Sequence, residues 1–213
     1  MRKTIVFLTG ILLFITELSF PLSKINPLSY SLHMLEICLL YFVIPPMLLH
    51  GFSNIRWNLS DFARSIADLS LFISLAGFAL LITLEHMSFG IELFQQIGIS
   101  SSVLKWILFL LAIDIWRPFC LKVGWSKNKM SRFSLVNLLI LMPACLILLI
   151  DSIFSPVDSM VSTYTMAFCF PIGMTIDDIQ STLLPARLNQ GLAAFMMIGF
   201  HKGSLWVVGK LES

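Results

Sequence analysis

The chain predicts an all-α, polytopic transmembrane helical bundle, and three observations predict it. Of its 213 residues 57% are hydrophobic and only 12% charged, with a mean hydropathy of +0.89, more apolar surface than a soluble domain can hide from water. Apolar runs long enough to cross about 30 Å of hydrocarbon, at about 1.5 Å per helical residue, recur along the whole chain. Segments of about ten residues with alternating apolar and polar positions, the signature of a membrane β-barrel, do not. Helices are then the structure that satisfies its own backbone in lipid.

Six spans are expected, at 4–20, 31–50, 66–84, 103–120, 134–154 and 188–208, with seven as the alternative count. They use up most of the chain, and the linkers are too short for a separate globular domain, so 1–213 reads as one integral membrane domain. The first span follows Met1-Arg2-Lys3, a basic start shared with signal peptides, but no small-x-small cleavage site follows in TELSFPLS. An uncleaved anchor is the expectation.

Lysine and arginine near span ends resist translocation and so set orientation. A cytoplasmic N-terminus puts Arg2, Lys3, Arg56, Arg64, Arg117, Lys122, Lys127, Lys129, Arg132, Lys202 and Lys210 inside and leaves Lys24, Lys105 and Arg187 outside, eleven of the 14 basic residues against three. The segment from Arg117 to Arg132 is first a topology signal, and it also suits the anionic lipid headgroups of a cytoplasmic leaflet. A multi-pass protein of a bacterial cell membrane is the expected setting. Net charge is only +2, and no nucleic-acid partner is expected.

Residues 155–187 are apolar around 160–174 but broken by Pro156, Pro171, Gly173 and Pro185, and read as a lid or interfacial helix on the outer face. There is no P-loop, no GxGxxG after a strand, no GxSxG and no HExxH, so an enzyme is not expected. Cys38, Cys120, Cys145 and Cys169 are widely separated in apolar surroundings without a CxxC, and read as buried packing residues.

Polar residues inside spans are more informative, because each is costly unless it faces a partner or a cavity. The second span reads SLHMLEICLLYFVIPPMLLHG; His33 and Glu36 are three apart and share one helical face, while Pro45-Pro46 should kink the helix or end its regular part. The third span ends at Glu85-His86-Met87. A short cytoplasmic connection makes these two spans antiparallel neighbours, so that His33, Met34, Glu36, Glu85, His86 and Met87 can converge at one outer end. Imidazole and thioether together suit Cu(I), a soft ion. Met160, Met166 and Met174 add outer thioethers. Against this stands an ordinary alternative, in which the histidines are interfacial hydrogen-bonding groups and the methionines, eleven in all, are adaptable packing residues.

His33-Met34 followed by ICLLYFVIPPMLLHG resembles the HMxxH plus APPLLLLG helix of the CtaG-like family of cytochrome c oxidase assembly proteins, which serve caa-type oxidases. Further similarities follow in the same order: LEHMSF at 84–89 to that family's WHxP segment, IDIWRPF at 113–119 to its fWWPl segment, and Asn189-Gln190-Gly191 to its DQxxGG start of the last span. None is specific alone; their order over about residues 30–200 is the argument. The resemblance implies a divergent assembly factor that helps mature a copper-containing terminal oxidase by handling copper at the outer face, with oxidase subunits and a copper donor as partners. It carries His33 and His86 onto the family histidines and Asn189 and Gln190 onto the polar pair opening the last span. The chain departs from the pattern at Ile37, where the family has a second histidine, at Glu85 for its tryptophan, at Arg117 within its WWP, and at Asn189 for its acidic residue. The expected metal ligands are therefore His33 and His86, with Met34, Met87 and Glu36 as candidates to complete the set.

Three weaker readings accompany these. Asp114 and Arg117 are three apart and can pair within the bundle. Glu17 is either a snorkelling boundary residue or part of the outer patch. Rival functions are a haem- or quinone-associated redox subunit, suggested by His33 and His86 at one end and His50 and His201 at the other, and a small-solute or ion transporter, suggested by Glu36, Asp114 and the proline-broken helix.

Overall fold

The computed structural model of the chain describes residues 2–20, 30–51, 61–121, 126–154 and 186–212, and among these it is helical without a strand. In chain order the elements are α1 (Arg2–Ser19), α2 (Tyr30–Cys38), a π-helical turn (Leu39–Val43), α3 (Ile44–Gly51), α4 (Asp61–Glu85), α5 (Ser88–Gln96), α6 (Ser101–Cys120), α7 (Lys127–Phe154) and α8 (Ala186–Glu212). Each expected span coincides with a helix. Four stretches are long and apolar enough to cross a membrane by length and composition: Ser31–Gly51, Asp68–Glu85, Asn128–Ile147 and Gly191–Val208. The helices at the other two expected spans carry more charge, Arg2, Lys3 and Glu17 in α1 and Lys105, Asp114 and Arg117 in α6. The lid expected at 155–187 lies outside the described residues except for its last two positions.

Burial explains why these helices assemble as they do. Ile5, Leu8, Leu12 and Ile15 on α1, Leu69, Phe72, Ile73 and Leu80 on α4, and Leu135, Leu139, Leu146 and Ile150 on α7 are exposed at helical spacing. Such stripes are tolerated in hydrocarbon and are an aggregation liability in water. The inward faces hold Met34, Ile37, Tyr41, Ile44, Phe78, Leu108 and Trp116, all sealed from the surface. The helix formed by α2, the π turn and α3 is the most buried of the four candidate spans. It packs through α2 on α8 and through α3 on α1 and α6, while α4 packs on α6 and α7. Gly10 makes the α1 to α3 approach possible, since a Cβ there would lie 3.0 Å from Met47 Cβ.

The second and third expected spans do touch, as the short connection required, but through rings: Tyr41 and Phe42 meet Phe78 edge-on, with centroids 5.5 and 6.4 Å apart. The main partner of α2 is α8.

The disturbance caused by Pro45-Pro46 appears one turn upstream of the prolines. Pro45 has no N–H to give the carbonyl four residues back, that of Tyr41, and the proline ring crowds the same place. The ladder widens there into the π turn, where Ile44 N–H reaches back to Leu39 O. The released Tyr41 carbonyl accepts instead from the Trp116 indole N–H at 2.9 Å. The π turn is thus tied to α6 by a hydrogen bond to one of its own backbone carbonyls.

Candidate functional site at the His33 end of the bundle

α2, the end of α4 and the start of α6 bring five ionisable side chains together. His33, Glu36, Glu85 and His86 are all at most 3% exposed. His33 lies within electrostatic reach of Lys105, Glu36 and His86, and Glu85 within reach of Lys105 and Glu36. The convergence expected from the sequence is therefore present for the two histidines and the two glutamates. Lys105 was expected only as an outer topology charge; its Nζ donates to Glu36 Oε1 at 2.6 Å. Nothing in the spacing marks Lys105 as a partner, because Glu36 is on another helix, far away in the chain.

The two histidines are held differently. His86 follows the last turn of α4, and its Nδ1 lies 2.6 Å from the Ile82 carbonyl. A carbonyl only accepts, so Nδ1 carries the proton and Nε2 keeps the lone pair. Burial holds His86 below the ordinary value of 6.5, against the smaller raising effect of the Ile82 bond. His33, by contrast, has a buried Nδ1 with no hydrogen-bond partner among the described residues, and Glu85 Oε2 is likewise buried without one among them. Two orphaned polar atoms in one buried cluster are costly unless something satisfies them.

The candidate thioethers divide. Met34 is sealed in the core, whereas Met87 is 39% exposed and stands between α4 and α5 as the extended residue before Ser88. Glu36, expected among the ligands, is held by Lys105, and an ammonium at that oxygen competes directly with a metal ion. Its role in the cluster is that of counter-charge. Among the described residues no group of three or more His, Cys, Asp and Glu side chains is arranged to hold a metal ion. Met160, Met166, Cys169 and Met174 fall outside the described residues.

A cavity of about 190 Å³ leads to the ion pair, lined by Phe14, Glu17, Glu36, Lys105, Trp106 and Phe109 among others. Glu17 thus belongs to the patch. Its wall is aromatic: Phe14 stacks on Phe109 at 4.9 Å and meets Trp106 edge-on at 5.9 Å. Asn189, at the start of α8, meets the first turn of α2. Its Oδ1 accepts from Ser31 N–H at 2.8 Å, satisfying one of the donors that the first turn of α2 leaves open.

Asp114 and Arg117 pair at 3.2 Å as their spacing predicted. Asp114 also accepts from Ser74 Oγ at 2.8 Å and Ser70 Oγ at 3.2 Å, which makes the pair a link between α6 and α4. At the other end of the bundle His50 lines a largely apolar cavity of about 720 Å³, with Pro46, Cys120, Gly199 and Gly203 on its wall. His201 lines two much smaller voids elsewhere.

Comparison with protein-family models, with curated proteins and with solved structures gives no match.

Proposed function

We propose that the chain is a membrane-integral assembly factor for a copper-containing cytochrome c oxidase, and that it handles Cu(I) at the His33 end of the bundle, on the outer face of a bacterial cell membrane. The observation that carries the reading is the pairing of two buried imidazoles, one on α2 and one just past α4, the first with a ring nitrogen that finds no partner among the described residues. His33 Nδ1 and His86 Nε2 would hold the ion, a coordination number low enough for Cu(I) and too low for most divalent ions, with Met34 or Met87 as the soft third donor. Charge supports a monovalent ion as well. Lys105 answers Glu36, and Glu85 would give up its proton as the cation arrives, so that one carboxylate balances one positive charge. Bound copper would supply the metal that a terminal oxidase needs; the chain's own residues bind it, keep it from water and hold it near the surface.

The order of short sequence similarities to the CtaG-like family supports the client, and the outward placement follows from the bias of basic residues. The test is oxidase maturation. A strain lacking the protein should lose active copper oxidase, and expression of the intact chain, but not of His33→Ala or His86→Ala, should restore it. Normal oxidase levels without the protein would contradict the reading.

The cavity at the His50 end favours a second reading, association with a quinone or another long apolar cofactor. Extraction of purified protein into organic solvent should then release a quinone in stoichiometric amount, and its absence removes this alternative. A haem held by His50 and His201 has no support in geometry, since these residues line different cavities.

A further inference from the structure

One void between α7 and α8 is lined by an unusual set of side chains. Its volume is about 10 Å³, and around it stand Met142 and Cys145 of α7 and Met197 and His201 of α8, closed off by Phe42, Leu138 and Ile198. Met142 and Cys145 are three apart, and Met197 and His201 four apart, so each pair projects from one face of its helix toward the other. The cysteine is a free thiol, 4% exposed. His201 is 4% exposed, its Nε2 has no hydrogen-bond partner among the described residues, and its ring leans on Phe42 at 5.1 Å.

We infer that Met142, Cys145, Met197 and His201 form a second soft-metal site, inside the bundle, for a monovalent ion of the Cu(I) class. Two thioethers, a thiol and an imidazole are the donors that select Cu(I) over the hard cations. The charge balance is specific. Binding releases the Cys145 proton to water, and the thiolate then cancels the single charge of the ion, leaving a neutral site. None of the lining residues is an acid or a lysine or arginine. A divalent ion would leave a net positive charge in this apolar interior, which is strongly disfavoured. A void of about this size holds about one water-sized sphere, so bare ions fit and chelated ones do not.

The position gives the site a role. Phe42 on its wall lies about 13 Å along the central helix from His33, at about 1.5 Å per residue. The internal site therefore sits deeper than the His33 patch, next to the π turn, as a storage or relay position for an ion that enters from that end. The choice of metal rests on the proposed function; the donor set does not.

The full chain, purified in detergent without oxygen, should be titrated with Cu(I) against a chromogenic Cu(I) chelator, and separately with Ag(I). Two equivalents are expected. Cys145→Ser and the volume-conserving Met197→Leu should each remove one of them, while His33→Ala with His86→Ala removes the other. In that double variant, X-ray absorption of the remaining copper should show sulfur as the main scatterer. A single equivalent, insensitive to Cys145→Ser and Met197→Leu, would overturn the internal site and leave the outer one. A single equivalent lost only with Cys145 or Met197 would support the internal site and overturn the outer one. No bound copper would overturn both.

Discussion

Lys105 Nζ sits 2.6 Å from Glu36 Oε1, joining α6 to α2 beneath a cavity walled by Phe14, Trp106 and Phe109. The carboxylate is 3% exposed and the lysine 28%, so the pair is half desolvated, with the acid paying most of the cost. Its value lies in what happens when it is broken.

Removing one partner strands the other. Lys105→Met leaves the buried Glu36 carboxylate without its ammonium, and should destabilise the protein by about 3 kcal/mol, the lower end of the range for a broken buried pair because the lysine is partly solvated. Lys105→Met combined with Glu36→Leu should recover most of that loss. Unfolding midpoints of the single and double variants in the same detergent decide it. Additive losses would mean that the two residues do not act as a pair.

Asn189 caps α2 from a distance. Losing its acceptor in Asn189→Ala should cost about 1 kcal/mol, as for other capping side chains, while Asn189→Asp keeps an oxygen for Ser31 N–H and should cost less. Hydrogen exchange at the Ser31 amide gives a local readout. Unchanged protection in Asn189→Ala would show that Asn189 does not cap α2.

Acid should loosen the His33 end. His86 is held neutral by burial, so the folded protein binds fewer protons there than the unfolded chain does below the ordinary value of 6.5. Stability is then fully present above that pH and falls as the pH drops through it, because unfolding takes up a proton. The slope of melting temperature against pH between 7 and 5 should be shallower in His86→Gln. An identical slope would show that His86 is not the group responsible.

The link between α6 and α4 should depend on Asp114 as an acceptor. Asp114→Ala removes the partner of Ser70, Ser74 and Arg117 together, and a loss of about 1.5–3 kcal/mol is expected from hydrogen bonds to a charged group. Ser74→Ala should cost less than Asp114→Ala, as the hydroxyl is neutral. Equal melting temperatures for Asp114→Ala and the intact chain would contradict that.

How much of this was legible in the sequence depended on whether the cause was local. Hydropathy located the helices: the expected 31–50 and 103–120 are Tyr30–Gly51, counting the π turn, and Ser101–Cys120, because desolvation acts on each segment independently of its neighbours. Spacing alone gave the Asp114 and Arg117 pair. Pro45-Pro46 announced a break, but its form, a π turn stitched by Trp116, required knowing that α6 would present an indole at that height. Lys105 was invisible as a partner of Glu36 for the same reason, as an isolated charge on an otherwise ordinary helix. Around the Cys145 void the methionines and the cysteine looked like packing residues and His201 like half of a haem pair, since a methionine or buried cysteine gains chemical meaning only from what faces it. The short connection between spans two and three did indicate that His33 and His86 share an end, but not that α8 would be the closer companion of α2.

Whether the His33 end handles copper is read from the copper content of the protein as isolated. The intact chain, purified from copper-supplemented cells, should carry near-stoichiometric or higher copper with no Soret band, and His33→Ala or His86→Ala should lower that content by about one equivalent. Copper content unchanged by both substitutions, or an intense Soret band in place of copper, would contradict the assignment of the His33 end as a copper-handling site.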